Sequence, residues 1–251
     1  MEEISKRKGI ILAGGKGSRL FPITLATSKQ LIPVYNKPMI YYPLTTLMLA
    51  DIREFLIIST KFDAPQFKCL LGDGSQWGIE IEYAIQNEPI GLADAFLVGE
   101  ELLNSGPSAL ILGDNLFHGN NLITQLKNIS ADSENSTIFA YPVSNPEAYG
   151  IINFNSDGSI ESIEEKPLKP KSKYAITGLY FFNASAVTKA KEVKPSKRNE
   201  LEIIDIINMY LNEEKLNVEF LGRGTAWLDT GTPNSLNDAS SYIRTIETRM
   251  G

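Results

Sequence analysis

Residues 9–20 read Gly-Ile-Ile-Leu-Ala-Gly-Gly-Lys-Gly-Ser-Arg-Leu. An aliphatic run broken at once by glycines is the pattern of a buried strand that feeds a tight loop. Phe55–Ser59 and Ala109–Gly113 are runs of the same kind. Between these runs, residues 39–50 and 91–104 carry helix-like apolar spacing. Strands that are apolar throughout, alternating with helices, predict an α/β fold. Its Rossmann-like central sheet should be mostly parallel or mixed and flanked by helices. Pro43 inside the first helical stretch predicts a kink there or a later start.

Beyond residue 136 the texture turns β-rich. Residues 150–155, the Asp157-Gly158 turn and residues 160–164 predict a β-hairpin. Residues 174–183 predict a further strand, rich in aromatic and β-branched residues. A helix is predicted from about Glu200, with Asn199 and Glu202 spaced as a capping box and Leu201, Ile204, Ile207 and Leu211 on one face. Leu236, Ala239, Ile243, Ile246 and Met250 form one stripe of a terminal amphipathic helix, which packs on its own sheet or on a neighbouring subunit. No repeat or linker divides the chain. We therefore expect one α/β domain over 1–251, with a first portion (1–135), a β-rich portion (136–232) and a terminal helix (233–251).

The composition narrows the function. Lys and Arg number 24 against 30 Asp and Glu, a net charge of −6. This argues against a nucleic-acid partner, which needs a broad basic face, and leaves small anionic substrates open. One cysteine, Cys69, and one histidine, His118, exclude an internal disulfide and thiolate or His-rich metal cages. Both are read as structural residues. No apolar run approaches the roughly 18 residues of a membrane helix, and the start is not a signal peptide. A soluble, cytoplasmic protein with no membrane partner is expected.

The glycine loop carries the sharpest chemistry. Glycines let backbone N–H groups approach phosphate oxygens, and Arg19 and Lys29 add positive charge on either side. The loop matches neither the dinucleotide fingerprint nor the Walker pattern, and alone it reads equally as a tight turn. Asp114, directly after the strand 109–113, stands where α/β sheets bind ligands. It suits Mg²⁺, or else caps a turn. Asp229, in Ala-Trp-Leu-Asp-Thr-Gly, is a second carboxylate at an apparent strand end. Pro167 favours an extended Lys166 whose side chain projects from the hairpin end, unless Glu164-Glu165-Lys166 is only a solvated charge cluster. Gln30, Gln86 and the turn at Gly91 are candidates for reading a base edge.

Taken together, these segments resemble the sugar-1-phosphate nucleotidyltransferases. The matching stretches include residues 9–20, Ser28-Lys-Gln-Leu, residues 37–44, Leu71-Gly-Asp-Gly-Ser-Gln-Trp-Gly, Leu112-Gly-Asp-Asn, Tyr149-Gly, Glu164-Glu-Lys-Pro, Thr177-Gly-Leu-Tyr-Phe and Ala226-Trp-Leu-Asp-Thr-Gly. They recur in order along nearly the whole chain. Three of them, Lys29-Gln-Leu, residues 72–78 and residues 226–231, are more specific to the thymidylyl branch. The resemblance implies a GT-A-like fold and Mg²⁺-dependent transfer of the thymidylyl group of dTTP to α-D-glucose 1-phosphate, releasing pyrophosphate, at the entry to deoxysugar biosynthesis. It implies that Arg19, Lys29 and Lys166 are catalytic, and that Asp114 and Asp229 hold the metal. Leu12, Gly14, Gly15, Gly17, Ser18, Arg19, Lys29, Gln30, Gln86, Gly91 and Asp114 would line the nucleotide. Tyr149, Gly150, Glu165, Lys166, Thr177 and Trp227 would surround the sugar phosphate. A homotetramer or homodimer is implied as well.

Ser18 stands where threonine is usual, a change that keeps the hydroxyl. Alternatives are a UTP- or GTP-using transferase and a non-catalytic sugar-nucleotide sensor. Long family members continue past the position of Gly251 into helices of a regulatory site. The expectation for this chain is therefore activity with weak or altered end-product inhibition.

Overall fold

The computed structural model describes residues 6–249, so Met250 of the terminal stripe and the first five residues lie outside it. The chain begins with β1 (Lys8–Ala13), then a short ribbon, β2 (Pro33–Val34) and β3 (Lys37–Pro38). Helix α1 (Tyr41–Leu49), strand β4 (Glu54–Ser59), helix α2 (Ala64–Leu71) and strand β5 (Glu80–Ile85) follow. Two short helices, α3 (Asp94–Val98) and α4 (Glu100–Leu103), lead to β6 (Ser108–Leu112) and β7 (Asn115–Gly119). After α5 (Leu122–Ala131) come β8 (Ser136–Pro142), β9 (Gly150–Phe154), β10 (Ile160–Glu165) and β11 (Tyr174–Phe182). The chain closes with α6 (Ala186–Glu192), α7 (Ile203–Asn212), β12 (Leu216–Phe220), β13 (Thr225–Asp229) and α8 (Pro233–Arg249).

Nine strands form one mixed sheet whose main path is β10-β9-β11-β6-β1-β4-β5, with β8 on β11 and β12 on β8. Strands β6, β1, β4 and β5 run parallel, whereas β11 pairs antiparallel with β6, β8 and β9. The β-rich portion is thus continuous with the first sheet rather than a separate body. Successive residues of the apolar strands face opposite sides. Ile11, Ile57 and Ile111 pack with Leu47, Phe67 and Leu126. Their neighbours Ile10, Leu56 and Leu110 pack with Phe96, Ala190 and Ile207 on the other face. Burial on both faces is why these strands are apolar throughout.

Several local expectations change. Helix α1 takes the later start, which leaves Pro43 in its first turn, where the missing N–H costs nothing. The helix read over 91–104 is two helices that meet at Gly99. Before them, Gly91 sits at φ 126, and a Cβ there would lie 2.3 Å from the Leu201 carbonyl oxygen. The backbone of 201 therefore claims the space that a longer helix would need.

Helix α7 starts at Ile203, and Glu202 is its extended N-cap. No capping box forms. Asn199 is at φ 59, and the Glu202 carboxylate instead accepts from Ser196 Oγ at 2.7 Å and from Arg198 at 2.9 Å. Lys166 is not extended but at φ 43, because its N–H turns back to the Tyr149 carbonyl. Helix α8 packs on its own chain, with Ala239 and Ile243 against Val34, Met39 and Leu116. No described helix is long and apolar enough to cross a membrane.

Candidate active site

A cleft of about 870 Å³ opens along the carboxyl ends of β6 and β10. Strand β6 ends at Leu112, so Asp114 emerges at the sheet edge where backbone N–H and side chains are free of the ladder. The chain then turns into β7, which pairs antiparallel with β13 so that Asn115 lies opposite Asp229. Thr230 fastens this corner: its N–H and its hydroxyl both donate to the Asp114 carbonyl, at 3.1 and 2.7 Å. Two aspartates distant in sequence are thereby brought to one wall of the cleft.

Burial pushes the Asp229 carboxyl up from its ordinary range, and the charge of Asp114 adds to this. Lys29, Arg19 and a hydrogen bond from the Gly231 N–H at 3.0 Å work the other way. Lys29, in a short 3₁₀ turn, forms an ion pair with Asp114. The Arg19 guanidinium lies against the bare Cα of Gly231, where an added Cβ would come within 2.5 Å of Nη2. Two half-buried carboxylates, one of them held above its usual pKa, are a donor set that a hard divalent cation with phosphate oxygens would complete. No group of three or more His, Cys, Asp and Glu residues suited to a metal occurs among the described residues.

The rest of the lining is amphipathic, with Tyr149, Gly150, Glu165, Lys166 and Trp227 among its residues. Gly150 pairs with Glu165 across β9 and β10. A Cβ at 150 would meet Ile204 at 2.7 Å and the Glu165 carboxylate at 3.3 Å. Tyr149 and Tyr141 pack edge-on against the Trp227 ring, with centroids 5.3 and 5.7 Å away. Burial, with the charge of Asp229 next, raises the Tyr149 hydroxyl.

Other expected residues stand elsewhere. Ser18 and Arg19 line the cleft, but Leu12, Gly14, Gly15, Gly17, Lys29, Gln30, Gln86, Gly91 and Thr177 are not in its lining. Thr177 is wholly buried on β11 with its hydroxyl unpartnered, and the next residue, Gly178, faces the cleft instead. Gln30 is buried under Gly113 and accepts from Ser28. Gln86 is buried beside Gly14, its amide N–H committed to Asp94 at 2.7 Å and its Oε1 turned to Gly14. His118 pairs with the Tyr242 hydroxyl at 2.9 Å, away from the aspartates, and Cys69 is exposed.

Three features escaped the sequence reading. Ile203 and Ile204 add apolar lining. Arg198 joins Glu165 at 3.1 Å to Glu200 and Glu202. Asn115 lies behind Asp114. The Asn in Leu112-Gly-Asp-Asn was the available signal for the last; the Arg198 loop has no motif that marks it.

The nucleotidyl transferase family model matches residues 8–246. A glucose-1-phosphate thymidylyltransferase of Xanthomonas campestris pv. campestris is 53% identical over 248 residues, covering 99% of this chain and 84% of that protein. One from Neisseria meningitidis is 55% identical over 240 residues, covering 96% and 83%. Among solved structures, a Bacillus anthracis protein crystallised with a sucrose has a TM-score of 0.87 at 38% identity, covering 95% of each chain. A UDP-glucose pyrophosphorylase complexed with UDP-glucose has a TM-score of 0.83 at 23% identity, covering 96% and 99%. The last shares the fold.

Proposed function

The chain belongs to the nucleotidyl transferase family, and we propose that its cleft joins dTTP to glucose 1-phosphate, forming dTDP-glucose and pyrophosphate. The identity to named thymidylyltransferases over nearly the full chain supports this substrate pair. The observation that carries the reading is one cleft lined by Asp114, Asp229 and Arg19 together with Glu165, Lys166 and Trp227, with Lys29 paired to Asp114.

A phosphate oxygen of glucose 1-phosphate attacks the α-phosphorus of dTTP. One P–O bond forms there as the bond to the β-phosphate oxygen breaks. The nucleophile is already ionised at neutral pH, so no histidine or serine base is needed. The protein's task is positioning and charge neutralisation. Arg19 neutralises the developing charge on the transferred group and on pyrophosphate. Lys29 exchanges its Asp114 partner for nucleotide phosphate.

Lys166 is half exposed beside Glu165 and pairs with the phosphate of the sugar. Glu165, steadied by Arg198, accepts sugar hydroxyl protons in hydrogen bonds. The Gln86 Oε1 is an acceptor for a pyrimidine N3–H, a group that thymine and uracil share. Asp114 and Asp229 would hold a divalent ion, for which Mg²⁺ is the reading that suits two carboxylates plus phosphate oxygens. Such an ion would supply positive charge to the phosphate chemistry. The protein acts as a homotetramer or homodimer in the cytoplasm, a setting in which the exposed Cys69 stays reduced.

Pyrophosphate release from dTTP and glucose 1-phosphate in Mg²⁺ tests the reaction. Competition between dTTP and UTP tests the base, because one methyl group is worth only about 1–3 kcal/mol in an apolar pocket. Preference for UTP would reassign the nucleotide and leave the rest of the mechanism intact.

A further inference from the structure

Asn115 is 2% exposed, and every polar atom of its side chain is engaged with a wall of the cleft. Its Oδ1 accepts from the Trp227 indole N–H at 2.6 Å and from the Gly178 backbone N–H at 3.1 Å. Its Nδ2 donates to Asp114 Oδ1 at 3.1 Å. Two donors at one end of the amide and a carboxylate at the other permit a single orientation. Residue 178 is built around the contact, since a Cβ there would lie 2.5 Å from Asn115 Oδ1. One side chain thus touches a metal-side carboxylate, the aromatic wall of the sugar side and the strand β11 between them.

We propose that Asn115 is a positioning residue that couples the two halves of the site. It sets the Asp114 carboxylate for the cation and the Trp227 indole for the sugar phosphate. The proposal rests on the reading of the cleft given above. Asn115 acts through these two neighbours and not on the reacting atoms. Asparagine is the residue that does both. Aspartate would keep the acceptor but set a second carboxylate against Asp114, and alanine would leave the Trp227 and Gly178 N–H groups unpaired.

The chain has two tryptophans, so a Trp77→Phe parent makes emission report on Trp227 alone, with no substrate or metal present. In that parent, Asn115→Ala shifts the Trp227 emission of the substrate-free protein. It also moves both the Mg²⁺ needed for half-maximal turnover and the KM for glucose 1-phosphate by roughly 10–100-fold, the range for residues that orient metal ligands. Asn115→Asp, close to the same shape, keeps the parent's emission and leaves that KM within about twofold. It changes the Mg²⁺ requirement or kcat by about tenfold or more.

Parental emission in the alanine variant would overturn the proposal. So would Mg²⁺ dependence and kcat within about twofold of the parent in either variant. If the alanine variant does not fold, the aspartate variant decides by its split between metal and sugar parameters. A parent that makes no sugar nucleotide would instead refute the proposed reaction, and the emission shift would still judge the Asn115–Trp227 contact.

Discussion

The glycine loop at 14–19 and the aspartate corner at Asp114, Asn115 and Asp229 border the same cleft, but they are built by opposite means. Lys16, Ser18 and Arg19 are exposed, and a Cβ at Gly15 would touch nothing within 4 Å. The corner is packed and hydrogen-bonded on every side by Thr230, Gly231, Trp227 and Gly178. A cation on a long side chain stays solvated until substrate arrives, so an exposed loop can carry it. Two facing carboxylates repel and lose hydration when buried, so only a rigid frame holds them together. The contrast implies that changes in the loop cost activity and little stability, whereas changes in the corner move both.

Arg19→Ala gives the largest expected effect. Turnover should fall by roughly 10³-fold, as when an arginine is lost from phosphoryl transfer, with an unchanged thermal midpoint. A folded variant that turns over at the parent rate would break the loop half of the comparison. Asp229→Asn should lower turnover on the order of 10²-fold and raise the thermal midpoint, because a half-buried charge near Asp114 disappears. The pH dependence follows from the same upward shift. An acid held above its unfolded pKa makes the folded state more stable as pH falls through that value. A wild-type thermal midpoint, measured without metal, that gains nothing on that of Asp229→Asn as pH falls would contradict this.

Gly231 connects the two regions. Gly231→Ala should displace the Arg19 guanidinium and reduce kcat by roughly tenfold, and a double-mutant cycle should show no further loss in the Arg19→Ala background. The smallest effects separate glycines within the loop. At φ 59, with Thr24 2.8 Å from an added Cβ, Gly17→Ala should cost about 1–2 kcal/mol in urea denaturation. Gly15→Ala should leave stability unaltered. Any rise in the KM for dTTP would then come from the ligand alone.

Much of the fold is legible because burial writes itself into composition. The runs at 9–13, 55–59 and 109–113 are apolar on both faces, which a strand covered on both sides asks for. Strand β5 was not legible: Glu-Ile-Glu-Tyr-Ala-Ile at the sheet edge is half solvated and carries a weak signal. The capping box at Asn199 failed because a competing partner, Arg198, is a matter of loop geometry. Lys166 and Thr177 carried readable types but not readable directions. A turn back to Tyr149 rotated the first, and strand alternation buried the second.

By itself, then, the sequence determined the alternation of strand and helix, the glycine loop, and the kinds of charge that serve phosphate chemistry. These are local properties of pattern and residue type. The tertiary structure alone decided that Asp114 and Asp229 share a wall and that Lys29 reaches Asp114. It also decided that Gly91 makes room for Leu201, and that Asn115 touches Asp114 and Trp227 at once. Those facts depend on the register of β7 with β13 and on the packing of distant backbone. Pair distances of that kind are set only when the whole chain closes on itself.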